Sequence, residues 1–217
     1  MNAIILAGGQ GSRMEHDLPK HLIEVKGKAI LAYQLDYFLN SGVIDKVILA
    51  LGNRANEYID YINLYFKDKP IEFSVEHEPL GTGGAIKLAL KKSTSDFVVI
   101  SNGDDITDMD LKKLAEFKDN AICVSNPALP FGVINEVDGY IEFNEKPVLN
   151  DIWVSVGWYL FNVQQMLDKI PDKSSIEYDV FPKVKMRMFK HQGFWQALNT
   201  KKDLNTFEYL ELPDSLK

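Results

Sequence analysis

Six of the fourteen glycines fall in two short runs, Gly8-Gly9-Gln10-Gly11 and Gly81-Thr82-Gly83-Gly84. Glycine in such runs lets a backbone turn sharply or approach a ligand closely. The first run leaves the apolar stretch Ala3-Ile4-Ile5-Leu6 directly, and Ser12, Arg13 and then Pro19-Lys20 follow it. Backbone N–H groups of a loop leaving a parallel strand can cradle phosphate oxygens. Arg13 can fork onto a phosphate, and Lys20 adds a compact point charge nearby. Two glycine loops at strand-to-helix passages, with two cations between them, suit a polyphosphate ligand. A tight turn with two surface cations is the plainer alternative for the first loop.

Asp104 closes a second candidate motif, Ser101-Asn102-Gly103-Asp104, at the end of the apolar run Phe97-Val98-Val99-Ile100. The carboxyl ends of parallel strands open into ligand crevices, and Mg²⁺ is commonly held by one or two carboxylates plus substrate phosphates. Asp104 could instead cap the helix carrying Leu111 and Leu114, but Asp108 and Asp110 stand closer to that helix. The side chain of Asp105 should point elsewhere than that of Asp104. His16, His21, His77 and His191 show no metal-ligand spacing and read as surface or loop residues. Ser12 has no partner histidine, so covalent catalysis is not indicated.

These residues need a scaffold, and the sequence outlines one. Val47-Ile48-Leu49 joins the two apolar runs already named as a buried strand, and Ile71–Val75 adds a further strand. Between them, apolar residues over Ile30–Leu39 and Tyr58–Phe66, and at Ile86 and Leu90, recur at helical spacing. Strand–helix alternation of this kind gives an α/β fold with a mostly parallel sheet covered by helices. From Ala121 the rhythm changes. Gly132–Val137 and Tyr140–Phe143 flank Asp138-Gly139, a two-residue hairpin turn. Trp153–Phe161 and Met186–His191 read as further strands, and a last helix starts near Thr200. A single domain over residues 1–217 follows, with a nucleotide-binding half at 1–120 and a strand-rich half at 121–217.

Composition narrows the partners. Of 217 residues, 46% are hydrophobic and 25% charged, an ordinary globular mixture. The formal net charge of −7 and the absence of a dense Lys/Arg block argue against nucleic acid. No signal-peptide pattern opens the chain, and Ile152–Leu167, a charge-free window that no other exceeds, is too short to span a bilayer. The lone Cys123 lies in an apolar run and reads as a small buried hydrophobe in a reducing, cytoplasmic setting.

The chain resembles the sugar-phosphate nucleotidyltransferase family, whose opening motif L-A-G-G-x-G-x-R followed by P-K matches Leu6 to Arg13 and Pro19-Lys20. The resemblance continues at Glu78–Ala85, Ser101–Asp104, Phe131-Gly132-Val133, Phe143–Pro147, Val156–Phe161 and Ser175–Pro182. It implies a Rossmann-like twisted sheet with helices on both faces and a smaller sugar-binding part. It also implies transfer of a nucleotidyl group from a nucleoside triphosphate to a sugar 1-phosphate, with Mg²⁺ and without nucleic-acid or membrane partners. A homo-oligomer is left open. By the same resemblance, Leu6, Gly8, Gly9, Gly11, Ser12, Gly81, Thr82 and Gly83 would bind the nucleotide. Arg13 and Lys20 would meet its phosphates, Lys146 the sugar phosphate, and Asp104 the metal. Asn102, Gly132, Glu145, Gly157 and Glu177 would line the sugar site.

The second glycine segment looks most like guanylyltransferases acting on mannose 1-phosphate or heptose 1-phosphate, which implies GTP. The short spacing from Arg13 to Lys20 is similar to that of cytidylyltransferases acting on alcohol phosphates, and that alternative stays open. A dinucleotide oxidoreductase fits poorly. Met14 fills the third glycine position, and Gly52-Asn53-Arg54 stands where a ribose-binding acid is needed. Family members often carry W-x-D-x-G-T with a second metal-binding aspartate, whereas this chain has Trp195-Gln196-Ala197-Leu198-Asn199-Thr200. That departure keeps a non-catalytic sugar-nucleotide sensor in view.

Overall fold

The computed structural model describes residues 1–9 and 17–217. In chain order the first elements are β1 (Asn2–Leu6), β2 (Glu24–Val25), β3 (Lys28–Ala29), α1 (Ile30–Leu39), β4 (Lys46–Leu51) and α2 (Ala55–Tyr65). Next come β5 (Ile71–Val75), α3 (Gly81–Leu90), β6 (Phe97–Asn102), β7 (Asp105–Thr107), α4 (Leu111–Glu116) and β8 (Ala121–Ser125). The hairpin β9 (Val133–Val137) and β10 (Tyr140–Asn144) precedes β11 (Val154–Asn162) and α5 (Val163–Lys169). The last elements are β12 (Arg187–Lys190), β13 (Trp195–Ala197) and α6 (Lys201–Tyr209).

Seven strands form the central sheet in the order β12-β8-β11-β6-β1-β4-β5. Only β11 runs antiparallel to its neighbours, β6 and β8; the other adjacent pairs are parallel. The expected α/β sheet is therefore present, and strands from both halves of the chain build it. The period-2 alternation of a strand divides the core between its two faces. Ile5, Leu49, Val99 and Trp158 point one way, toward α1, α2 and α4. Ile4, Ile48, Ile100 and Tyr159 point the other, toward α3 and α5. A third cluster ties α6, through Phe207, to Tyr33 of α1 and Ile106 of β7.

The β9–β10 hairpin has the expected Asp138-Gly139 turn, both residues at positive φ. It leaves Ile134, Tyr140, Ile141 and Phe143 exposed. Asp110, not Asp104, caps α4 by accepting from Lys113 N. Cys123 is fully buried, and burial pushes its thiol up.

Two readings of the sequence are corrected. The second glycine segment is not a loop, because Gly81-Thr82-Gly83-Gly84 forms the first turn of α3. Gly81 stands at φ +74, and a side chain there would strike the Ser174 carbonyl, so glycine starts this helix against a neighbouring segment. Among the histidines, His77 is exposed and His191 lies in a loop as expected, although buried; His21 differs, being buried in the turn after Pro19, and His16 lies outside the described residues. His191 Nε2 lies 3.0 Å from Thr107 Oγ1 and from the Phe194 carbonyl, and 3.2 Å from Asp108 Oδ1.

Candidate active site

A cavity of about 910 Å³ opens at the carboxyl ends of β1, β4, β5 and β6. Gly8 and Gly9 enter it from β1, and Lys20 from the 3-10 turn that follows Pro19. Gly52 and Asn53 come from the end of β4, and Glu76, His77 and Glu78 from the end of β5. Gly81 and Thr82 contribute the N-terminus of α3, and Asn102 and Asp104 the end of β6. The first N–H groups of a helix lack intrahelical partners, and its dipole favours negative charge there. The cavity thus offers both a helix N-terminus and an ammonium, which together suit a chain of phosphates.

The ammonium of Lys20 is held by Asp104 Oδ2 and lies 3.2 Å from Asn199 Oδ1. Asp104 follows β6 in a tight turn whose Gly103 N–H donates to the Leu6 carbonyl at 2.9 Å. That bond ties the turn carrying the carboxylate to the end of β1. Gln34 of α1 supports the same turn from below. Its amide nitrogen donates to the carbonyls of Asn102 and Asp105 at 2.6 and 2.8 Å, and its oxygen accepts from Ser101 at 2.9 Å. Asp105 points elsewhere than Asp104, as expected; it turns inward, accepting from Asn102 Nδ2 at 3.1 Å and Trp195 Nε1 at 3.0 Å. Burial, assisted by the neighbouring Asp104 charge, raises its carboxyl to about 7. His21 packs beneath Lys20 with Nδ1 2.8 Å from the Tyr58 hydroxyl, and burial lowers its imidazole to about 4.

Glu177 reaches the cavity from the far side. Its carboxylate accepts from Thr82 Oγ1 at 3.0 Å and Ser175 Oγ at 2.7 Å, tying the Ile176–Val180 turn to the start of α3. Gly157 lies in β11 directly behind Asn102, at φ +71, and a side chain there would overlap Asn102 Nδ2 and Asp105 Oδ2. Gly157→Ala is expected to cost about 2 kcal/mol or more, because the left-handed backbone and overpacking each disfavour the methyl. Urea unfolding checks this, and a variant within 0.5 kcal/mol of the parent contradicts the packing.

The structure brings Leu6, Gly8, Gly9, Lys20, Gly81, Thr82, Asn102, Asp104 and Glu177 to one cavity. Gly83 is buried in the first turn of α3, where its N–H donates to the Ser174 carbonyl at 2.9 Å. Gly11, Ser12 and Arg13 lie outside the described residues. Gly132, Glu145 and Lys146 sit around the β9–β10 hairpin and do not line the cavity; Lys146 is exposed, 3.8 Å from Glu145. Lining residues that the sequence did not single out include His21, Asn53, Glu76 and Asn199. Glu76 had a usable signal, since it directly follows a buried parallel strand, where ligand contacts collect.

A twisted, mostly parallel sheet with its crevice at the strand carboxyl ends, lined by a glycine segment and a helix N-terminus, defines a nucleotide-binding α/β protein. Residues 2–202 match the family described as nucleotidyl transferase. The chain belongs to that family, among the sugar-phosphate nucleotidyltransferases. It is 34% identical to mannose-1-phosphate guanyltransferase 2 of Candida glabrata, covering 94% of this chain but 62% of that longer protein. It is 35% identical to D-glycero-alpha-D-manno-heptose 1-phosphate guanylyltransferase of Aneurinibacillus thermoaerophilus, covering 84% of each. The crystal structure of HddC from Yersinia pseudotuberculosis complexed with GMP-PN superposes with a TM-score of 0.76 at 28% identity, covering 95% of this chain and 97% of that one.

Proposed function

We propose that the chain transfers a guanylyl group from GTP to a manno-configured sugar 1-phosphate of the mannose or heptose type. The reaction joins a sugar-phosphate oxygen to the α-phosphorus as the bond to the bridging oxygen breaks and pyrophosphate leaves. One observation carries this reading: a single cavity gathers Gly8 and Gly9, the α3 N-terminus, Lys20 and Asp104. The guanylyl and sugar assignments draw on the named relatives.

In-line displacement at phosphorus needs positioning and charge neutralisation more than covalent chemistry. The Gly8-Gly9 backbone and the N-terminus of α3 bind the triphosphate. Lys20 meets the charge that develops at the α-phosphate, and Arg13 the departing pyrophosphate. Asn102 and Glu177 orient the sugar hydroxyls. The Asp104 carboxylate, completed by phosphate oxygens, is a donor set that fits Mg²⁺, which needs few protein ligands. Among the described residues no three His, Cys, Asp or Glu side chains gather into a metal cage. When bound, Mg²⁺ would neutralise triphosphate charge. Lys146 belongs to the same proposal as the residue meeting the incoming sugar phosphate.

Among the described residues no helix is long and apolar enough to cross a membrane. A cytoplasmic site of action goes with this reading, because both substrates are charged metabolites.

The reading is tested by recording pyrophosphate release from GTP, CTP, UTP and ATP with mannose 1-phosphate, a manno-heptose 1-phosphate and choline phosphate. GTP with a manno-configured acceptor is expected to exceed every other pair by at least about tenfold, a difference of roughly 1.4 kcal/mol in the barrier. Faster turnover with CTP and choline phosphate assigns the cytidylyl alternative. Nucleotide binding without release in any mixture assigns the sensor.

A further inference from the structure

The Lys20 ammonium does not rest against Asp104 alone. Asn199 Oδ1 approaches it from another direction, so two oxygens from distant parts of the chain converge on one positive charge in the cavity. Asn199 is also rigidly placed. Leu198 N–H donates to the Asp104 carbonyl at 2.9 Å, joining the two segments next to the converging side chains. On the other side, Asn199 N–H donates to Asp203 Oδ2 at 3.0 Å, part of the Thr200 and Asp203 capping arrangement that starts α6. Ala197, two residues earlier, carries no oxygen on its side chain.

We propose that Asn199 Oδ1 is, together with Asp104, an oxygen donor to the divalent cation that accompanies the triphosphate, the Lys20 ammonium marking that place. The proposal rests on the reading of the cavity as a triphosphate site. An incoming triphosphate competes for Lys20 and draws its ammonium onto phosphate oxygen, which leaves both side-chain oxygens facing the cation. Hard cations accept amide carbonyl oxygens alongside carboxylates. A neutral donor also leaves the cavity less negative than a second carboxylate would, which favours entry of an anionic nucleotide.

The test compares melting temperatures with GTP plus EDTA and with GTP plus a Mg²⁺ titration, in the parent, Asn199→Ala, Asn199→Asp and Asp104→Ala. A ligand stabilises the native state by mass action, so the extra shift on adding Mg²⁺ reports the cation. In Asn199→Ala the GTP–EDTA shift is expected to stay, while the Mg²⁺ for half of the extra shift rises about tenfold or more, as when a group supporting a metal is lost. Asn199→Asp keeps the side-chain outline and is expected to need less Mg²⁺ than the parent. An unchanged Mg²⁺ requirement in Asn199→Ala overturns the proposal. Equal loss with and without Mg²⁺ also overturns it, because Asn199 then acts through Lys20. No GTP shift in the parent under any condition overturns the triphosphate reading itself, and this proposal with it.

Discussion

Lys20→Met is expected to lower pyrophosphate release about 10²–10³-fold, the usual loss when one donor aimed at developing charge is removed. The ammonium lies between the β6 turn and Asn199, and among the described residues no other lysine or arginine lines the cavity. The effect on stability should be far smaller. Breaking a fully buried ion pair costs about 3–5 kcal/mol, but the Asp104 side chain is 18% exposed and lines the open cavity, so about 1 kcal/mol is expected. Lys20→Arg should recover little, because a planar fork cannot replace a compact point charge between two oxygens. Steady-state kinetics with GTP and mannose 1-phosphate, alongside urea unfolding, separates the two effects. A Lys20→Met enzyme within threefold of the parent rate would falsify the role given to this side chain.

The second large effect concerns pH and stability, and it is hidden in the parent by cancellation. His21, lowered by burial to about 4, refuses a proton that the unfolded chain binds below its ordinary value of 6.5. Its contribution is therefore complete above about pH 6.5 and is lost as pH falls toward 4. Asp105, raised by burial to about 7, keeps a proton that the unfolded chain releases near 3.8. Its contribution is present below about pH 4 and is lost as pH rises through 7. At about 1.4 kcal/mol per pH unit, His21 gives about 3 kcal/mol in one direction and Asp105 about 4 kcal/mol in the other. Asp105→Asn should unmask a rise in stability between pH 4.5 and 6.5. His21→Asn should unmask a fall between pH 4.5 and 7. Urea midpoints for the three proteins, free of nucleotide, check this. Parallel profiles for all three would show that neither side chain titrates as its burial requires.

These two side chains also mark where the sequence stops being legible. The strands β1, β4 and β6 stand out as unbroken apolar runs because both their faces are covered. The Asp138-Gly139 turn and the start of α6 near Thr200 are equally plain, since turn and cap chemistry is local. The cavity's glycine segments, Lys20 and Asp104 are legible for the same reason. His21 is not, because it lies between charged and apolar neighbours in Pro19-Lys20-His21-Leu22, and only tertiary packing under α2 buries it. Asn199 meets Lys20 across 179 positions of sequence, and no local pattern reports such a meeting. The opening of α3 is misleading in the other direction. Glycines normally weaken a helix, yet here Ser174 leaves no room for a side chain at Gly81 or Gly83.

The place of β11 in the sheet governs how the chain can fold as it is made. Its antiparallel run fills the gap between β6 and β8, so the outer edge of β6 is open until Val154–Asn162 has been synthesised. At about 5–20 residues per second, the ~60 residues after β6 take roughly 3–12 s to emerge. During that interval the nascent chain carries a largely apolar strand with unpaired backbone groups along one edge, a template for pairing with other chains. Residues 1–120 made alone would keep that edge permanently, and we expect such a fragment to collect in the insoluble fraction.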